Sequence, residues 1–185
     1  METALAPEVD AVLAFWFEEL RPDQWFNPDP LLDATIRHRF GELHEQLAAE
    51  GTGDWEETAE GALAAIIVLD QFPRHIYRDQ PQAFACDAQA LAVAERAVAA
   101  GHDRDFTAAQ RTFLYMPFQH CEDGAVQARS VALYADIGNP RSLTEAERHR
   151  AIIDRFGRFP HRNPILGRPN TPEEAAFLQQ ADAAP

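Results

Sequence analysis

The stretch RFGRFPHRNPILGR sets Arg155, Arg158, Arg162 and Arg168 beside His161 and Asn163, on a backbone interrupted by Pro160 and Pro164. A guanidinium is a planar fork of N–H donors that holds a carboxylate or phosphate through two parallel hydrogen bonds. Arginines on irregular backbone next to Phe159, His161 and Asn163 form a donor-rich, partly apolar lining of the kind that small-molecule pockets use. The chemistry expected is capture of a small anion, a phosphate or carboxylate, or of an acidic peptide terminus, by Arg158, His161, Arg162 and Asn163. Arg74 and Arg78, in QFPRHIYR, are the candidates to join them. Arg155 and Arg158 are also expected in the last turn of a helix, where positive charge complements the helix dipole. His161, Arg162 and Arg168 lie past Gly157, so no dipole accounts for them.

A second group, QHCED, offers His120, Cys121, Glu122 and Asp123. His120 with Glu122, or His161, is the candidate general acid/base of an enzymatic alternative. Zinc needs three or four ligands at reliable spacing, and H-x-E without a completing cysteine pair does not supply them, so no metal is expected. Cys121 beside His120 is no nucleophile–base pair, because helical neighbours point about 100° apart. No nucleophile elbow, phosphate-binding Walker loop, dinucleotide fingerprint or H-E-x-x-H occurs, and no cofactor is indicated. All sixteen bases are arginine, which removes Schiff-base and P-loop lysines as well. A third alternative makes the arginine cluster structural, clipping the C-terminal arm to Glu122, Asp123 or Asp70.

Thirty acids against sixteen bases give a net charge of −14, unfavourable for nucleic acid or an anionic membrane surface. The charge is uneven. Residues 1–140 hold nine Arg and 24 acids, whereas residues 141–168 hold seven Arg and three acids, the basic island of an acidic chain. No apolar run approaches the roughly 18 residues of a membrane span, and METALAPEVD lacks the features of a signal peptide, so a cytoplasmic location is expected. Cys86 and Cys121 have no C-x-x-C spacing and read as reduced thiols serving as small buried residues.

The elements that must position these groups read as helices. Pro7 opens a helix through EVDAVLAFWFEEL, and Asp29-Pro30 caps one whose stripe is Leu32, Ile36, Phe40, Leu43 and Leu47, with Gly51 as its stop. A third, over 59–70, is apolar nearly all round and therefore internal, and it is expected to break at QFPRHIYR. Asp87 is expected to cap a fourth that ends at Gly101. Capping-box patterns at Thr107/Gln110, Thr144/Glu147 and Thr171/Glu174 mark three more starts, and Asp123 one further. Pro117 is expected to kink or stop its helix near Tyr115. The AFWF aromatics read as core, while Trp25 lies in a loop. The expected fold is all-α, about eight helices in antiparallel pairs within a single domain over 1–185, its basic segment 141–168 packing on the helical body.

VLAFWF (12–17), WF (25–26), LDQFPRHIYR (69–78), FLYMPFQHCED (113–123), RSVALY (129–134) and RFGRFPHRNPILGR with TPEEAAFL (155–178) resemble, in the same order over nearly the whole chain, a bacterial family catalogued as domain of unknown function 924. The resemblance implies a tetratricopeptide-like fold, helix pairs stacked in a right-handed solenoid, and brings no established activity. His75 and Pro164 stand where the family pattern has asparagine and alanine, so a role for His75 does not carry over. The arginines are untouched.

Overall fold

The structure is a computed structural model that describes residues 7–180, and among these it contains helices and turns and no strand. Ten α-helices follow in order: α1 (Pro7–Ala14), α2 (Pro30–Glu50), α3 (Ala59–Ile66), α4 (Phe72–Ile76), α5 (Asp87–Ala100), α6 (Ala108–His120), α7 (Gly124–Ile137), α8 (Pro140–Phe156), α9 (Asn163–Leu166) and α10 (Pro172–Phe177). Each expected helix has its counterpart, and α4 and α9 are short additions. Among the described residues no helix is long and apolar enough to cross a membrane.

The centre is the rod formed by α3 and α4. Residues 61–73 are buried without interruption, which is what an all-round apolar sequence requires. The expected break at QFPRHIYR does not fall at its proline: the helical run passes Pro73 and ends at Ile76, inside that stretch. Ile67–Gln71 forms a π-helical turn, in which the Phe72 N–H donates to the Ile67 carbonyl, and Pro73 enters in the first turn of α4. The proline needs no hydrogen bond there, so the helix passes through it with a change of register rather than a stop. Helices α1, α2, α5 and α6 surround this rod, and α6, α7 and α8 pack on one another in sequence across links of a few residues.

Aromatic rings fill the space between α1, α2 and the rod: Phe40 stacks on Phe72 with centroids 4.8 Å apart, and Trp16 meets Phe113 edge-on at 5.4 Å. Phe15 and Trp16 are core, as their setting in AFWF implies. Trp25 is half-buried, its indole N–H donating to the Trp16 carbonyl at 2.8 Å. Of the stripe on α2, Leu43 is only half-buried and His44 takes a buried place beside Leu47. Cys86 is buried and Cys121 half-buried, both as free thiols.

Two helix starts differ from expectation. Helix α8 begins at Pro140, because the Asn139 side chain accepts from the Arg141 and Ser142 N–H groups, and Thr144 lies inside the helix. Asp87 is the first residue of α5 and caps nothing; its carboxylate is committed to arginines described below. The Thr107/Gln110 and Thr171/Glu174 boxes form as expected, and Asp123 caps α7. Helix α6 continues through Pro117 to His120 rather than stopping near Tyr115; the missing N–H removes one rung without ending the helix.

Candidate functional site

The C-terminal segment returns over the ends of α5 and α6, and ion pairs fasten it. Arg168 forks onto Glu122 at 2.7 and 2.9 Å, and Glu122 also accepts the Phe159 N–H at 2.7 Å. Arg158 forks onto Glu174 at 2.7 and 2.8 Å, and Arg155 reaches Glu173 at 2.8 Å. Arg158 lies beyond Gly157, the left-handed C-cap of α8, so Glu174 rather than the helix dipole holds it. Glu174 is correspondingly pulled down to about 2, first by its hydrogen bond from Arg158. Of the three expected clip carboxylates, Glu122 alone ties the arm, since Asp123 caps α7 and Asp70 faces inward.

Where this segment meets the body, a cavity of about 300 Å³ opens. Its walls come from five places: Arg74 on α4 with Arg78 just after it, Phe84 in the turn before α5, His120 at the end of α6, His149 on α8, and Phe159, His161 and Arg162 on the returning segment. Arg162 is 6% exposed. It donates to Asp87 Oδ2 and to the His120 carbonyl, both at 3.0 Å, and its guanidinium lies over the Phe84 and Phe159 rings at 4.6 and 4.9 Å. Arg74 places Nη2 3.0 Å from Asp87 Oδ1 and Nη1 3.3 Å from Asp70 Oδ1. Two arginines thus share Asp87. Even so, the enclosed Arg162 Nε and His161 Nδ1 have no hydrogen-bond partner among the described residues.

Asp70 is wholly buried in the π turn and accepts from His120 Nδ1 at 2.7 Å and from the Gln71 amide. Burial raises its carboxyl, but the charges of Arg74 and His120 and these hydrogen bonds outweigh that and hold it well below the usual range. His120 is pushed down, by burial and then by Arg74, in spite of Asp70. His161 falls to about 4 through burial and the neighbouring Arg162, and His149 to about 3 chiefly through burial. Arg162 itself is lowered, burial and Arg74 outweighing its carboxylates. All three imidazoles are therefore neutral at neutral pH.

Of the residues expected to form a site, the structure brings Arg74, Arg78, His120, His161 and Arg162 around one cavity, and leaves Arg158, Glu122 and Asn163 outside its lining. Arg78 is spoken for in part, forking onto Asp33 at 2.7 and 2.8 Å beside His75. Asn163 is buried between Asn170 and Arg168. Glu122 is bound to Arg168, so the expected pair with His120 gives way to Asp70. Phe84 and His149 carry no local signal of a site and Asp87 reads as a helix cap; the Asp70/Arg74 spacing of four on a helix is the one local signal for this network. Among the described residues, no three His, Cys, Asp or Glu side chains converge as metal ligands would.

The model of the family described as bacterial protein of unknown function, domain of unknown function 924, matches residues 12–182. The chain belongs to this family. A solved structure of a protein of unknown function from Agrobacterium tumefaciens, a similar chain, has 40% sequence identity and a TM-score of 0.88, the likeness covering 92% of this chain and 96% of that one. No curated protein matches.

Proposed function

We propose that the cavity binds a small molecule bearing a carboxylate or phosphate, in a cytoplasmic protein whose antiparallel helix pairs stack in a tetratricopeptide-like right-handed solenoid. The observation that carries the ligand reading is the convergence of Arg74, Arg78 and Arg162 with the imidazoles of His120 and His161 around one cavity of about 300 Å³. That volume suits a metabolite or the terminal residue of an acidic peptide. The Phe84 and Phe159 rings under Arg162 fix the plane of its fork, and a fixed fork loses less entropy on binding an anion. A small turn of Arg162 towards a ligand oxygen would also satisfy its Nε, which has no acceptor among the described residues. The ties to Glu122 and Glu174 account for Arg168 and Arg158 in purely structural terms, but not for the unpaired Arg162 Nε and His161 Nδ1. The net charge of −14 argues against nucleic acid or an anionic membrane as the partner.

Calorimetric titration with inorganic phosphate and with succinate, at constant ionic strength, tests this. Saturable binding of at least one is expected, with stabilisation nearing about 2.7 kcal/mol at a hundred times the dissociation constant. His161→Glu, which sets a carboxylate in the cavity, should abolish it. Absence of binding by the wild type to either probe would overturn the reading.

A further inference from the structure

Resting on that ligand reading, we propose that the cavity is catalytic: His120 Nε2 is a general base that takes a proton from a small carboxylate- or phosphate-bearing substrate, and Asp70 is its positioning residue. The geometry is that of an oriented base. An ionised carboxylate only accepts hydrogen bonds, so the 2.7 Å contact between Asp70 Oδ1 and His120 Nδ1 places the imidazole proton on Nδ1. The lone pair is then on Nε2, on a ring that lines the cavity, and among the described residues the ring's one hydrogen bond is that of Nδ1 to Asp70. His149, a neighbour in the same wall, shows the contrast: its Nδ1 is bound to the Glu145 carbonyl at 2.8 Å and its Nε2 faces the Gln119 amide at 3.4 Å, so both nitrogens are occupied. A histidine kept only for packing resembles His149. His120 has one nitrogen held by a buried carboxylate and the other left for a ligand.

The surrounding groups favour the same direction of proton transfer. Asp70 is 0% exposed and held by Gln71 and Arg74 as well as His120, so it cannot turn away. Arg162 donates to the His120 carbonyl, which locks the end of α6 to the guanidinium proposed to hold the substrate's anionic group. In the step itself, a substrate hydroxyl or activated C–H bond breaks and its electron pair stays on the substrate. An N–H bond forms at His120 Nε2, and the resulting imidazolium is neutralised by Asp70. Arg74 and Arg162 face the negative charge that develops on the substrate. The charged and titratable groups around His120 are Asp70, Arg74, Asp87, His149, His161 and Arg162, contributed by the π turn, α4, α5, α8 and the returning segment.

Acylation by diethyl pyrocarbonate, which attacks only an unprotonated imidazole nitrogen, reads the proposed base without knowledge of the substrate. With sites mapped by mass spectrometry at pH 7, His120 in the wild type should acylate at least as fast as the exposed His38. Long-range ¹H–¹⁵N spectra of the wild type should show the proton on Nδ1 and a bare Nε2. Asp70→Asn should slow acylation by at least about tenfold, because an amide can donate to Nδ1 and drive the proton to Nε2. A wild-type His120 that resists acylation, or that carries its proton on Nε2, overturns the proposal even if Asp70→Asn fails to fold. Phosphate separates the two readings. Protection of His120 by phosphate supports both; phosphate that binds while His120 is unreactive leaves a binding site without a base. A reactive His120 in a protein that binds neither probe defeats the anion reading and with it the substrate class proposed here.

Discussion

Arg162 shows how one side chain can serve two ends. Its guanidinium, enclosed between Phe84 and Phe159, ties the returning segment to Asp87 on α5 and to the carbonyl of His120 on α6. Removing one partner of a buried pair leaves the other charge uncompensated, which costs about 3–5 kcal/mol, and here Arg74 still faces Asp87 and limits the loss. Arg162→Ala should therefore destabilise by about 3 kcal/mol. Arg162→Lys should recover only part, since an ammonium cannot serve Asp87 and the carbonyl in one plane while stacking on both rings. Urea unfolding midpoints of the three proteins at pH 7.5 check this, and equal midpoints for wild type and Arg162→Ala would show that the tie carries no weight.

At the scale of elements, local rules and packing give predictions of opposite sign at Gly61. In the first turn of a helix, Gly→Ala ordinarily stabilises by about 0.5–1 kcal/mol. A Cβ added at Gly61, however, would sit 2.0 Å from the Trp55 carbonyl oxygen and 2.8 Å from Thr58 Oγ1, the group that caps α3. The obstacle is backbone rather than a flexible side-chain end, so Gly61→Ala should destabilise by about 1–3 kcal/mol, measured by thermal or urea unfolding. The start of α8 offers a second comparison. Asn139→Ala removes a side chain that satisfies two N–H groups and should cost about 1 kcal/mol, whereas Thr144→Ala, inside the helix, should stay within about 0.5 kcal/mol. The reverse order would restore Thr144 as the start. What made Thr144 persuasive was its Glu147 three residues on; Asn139-Pro140 wins because it caps earlier and its proline is already set for helix.

For the whole molecule, neutral buried histidines make acid the weak side. His149 and His161 titrate near 3 and near 4 in the folded chain against about 6.5 when exposed, and His44, His75 and His120 are lowered too. Below pH 6.5 the unfolded chain binds protons that the folded chain refuses. Stability is thus full above pH 6.5 and falls as pH is lowered towards 4, by on the order of 3 kcal/mol for each of the two strongly shifted rings. The lowered carboxylates, Glu174 and Asp70 among them, begin to lose their contribution only as pH falls through their ordinary values, 4.5 for Glu174, so between pH 6.5 and 5 the histidines dominate the slope. Urea midpoints at pH 7.5, 6 and 5 should fall steadily, and His149→Gln should flatten the slope. A midpoint independent of pH across that range would contradict the neutral, enclosed state of these rings.

The sequence by itself determined the helices and the basic island. Periodic apolar stripes, Asp29-Pro30, the Thr107 and Thr171 boxes and the closing glycines act over three or four residues, a range that one helical turn encloses. Arg74, Arg78, His120, His161 and Arg162 could be named because unusual residue types stand out without any knowledge of what they touch. Tertiary structure alone decided their partners. Asp87 looks like a cap until Arg162, 75 residues later, takes its carboxylate, and Asp70 meets His120 across 50 residues because a π turn buries it against the end of α6. A carboxylate's neighbours in space depend on helix register and on where the chain returns, and both are set by the packing of the whole core around α3 and α4.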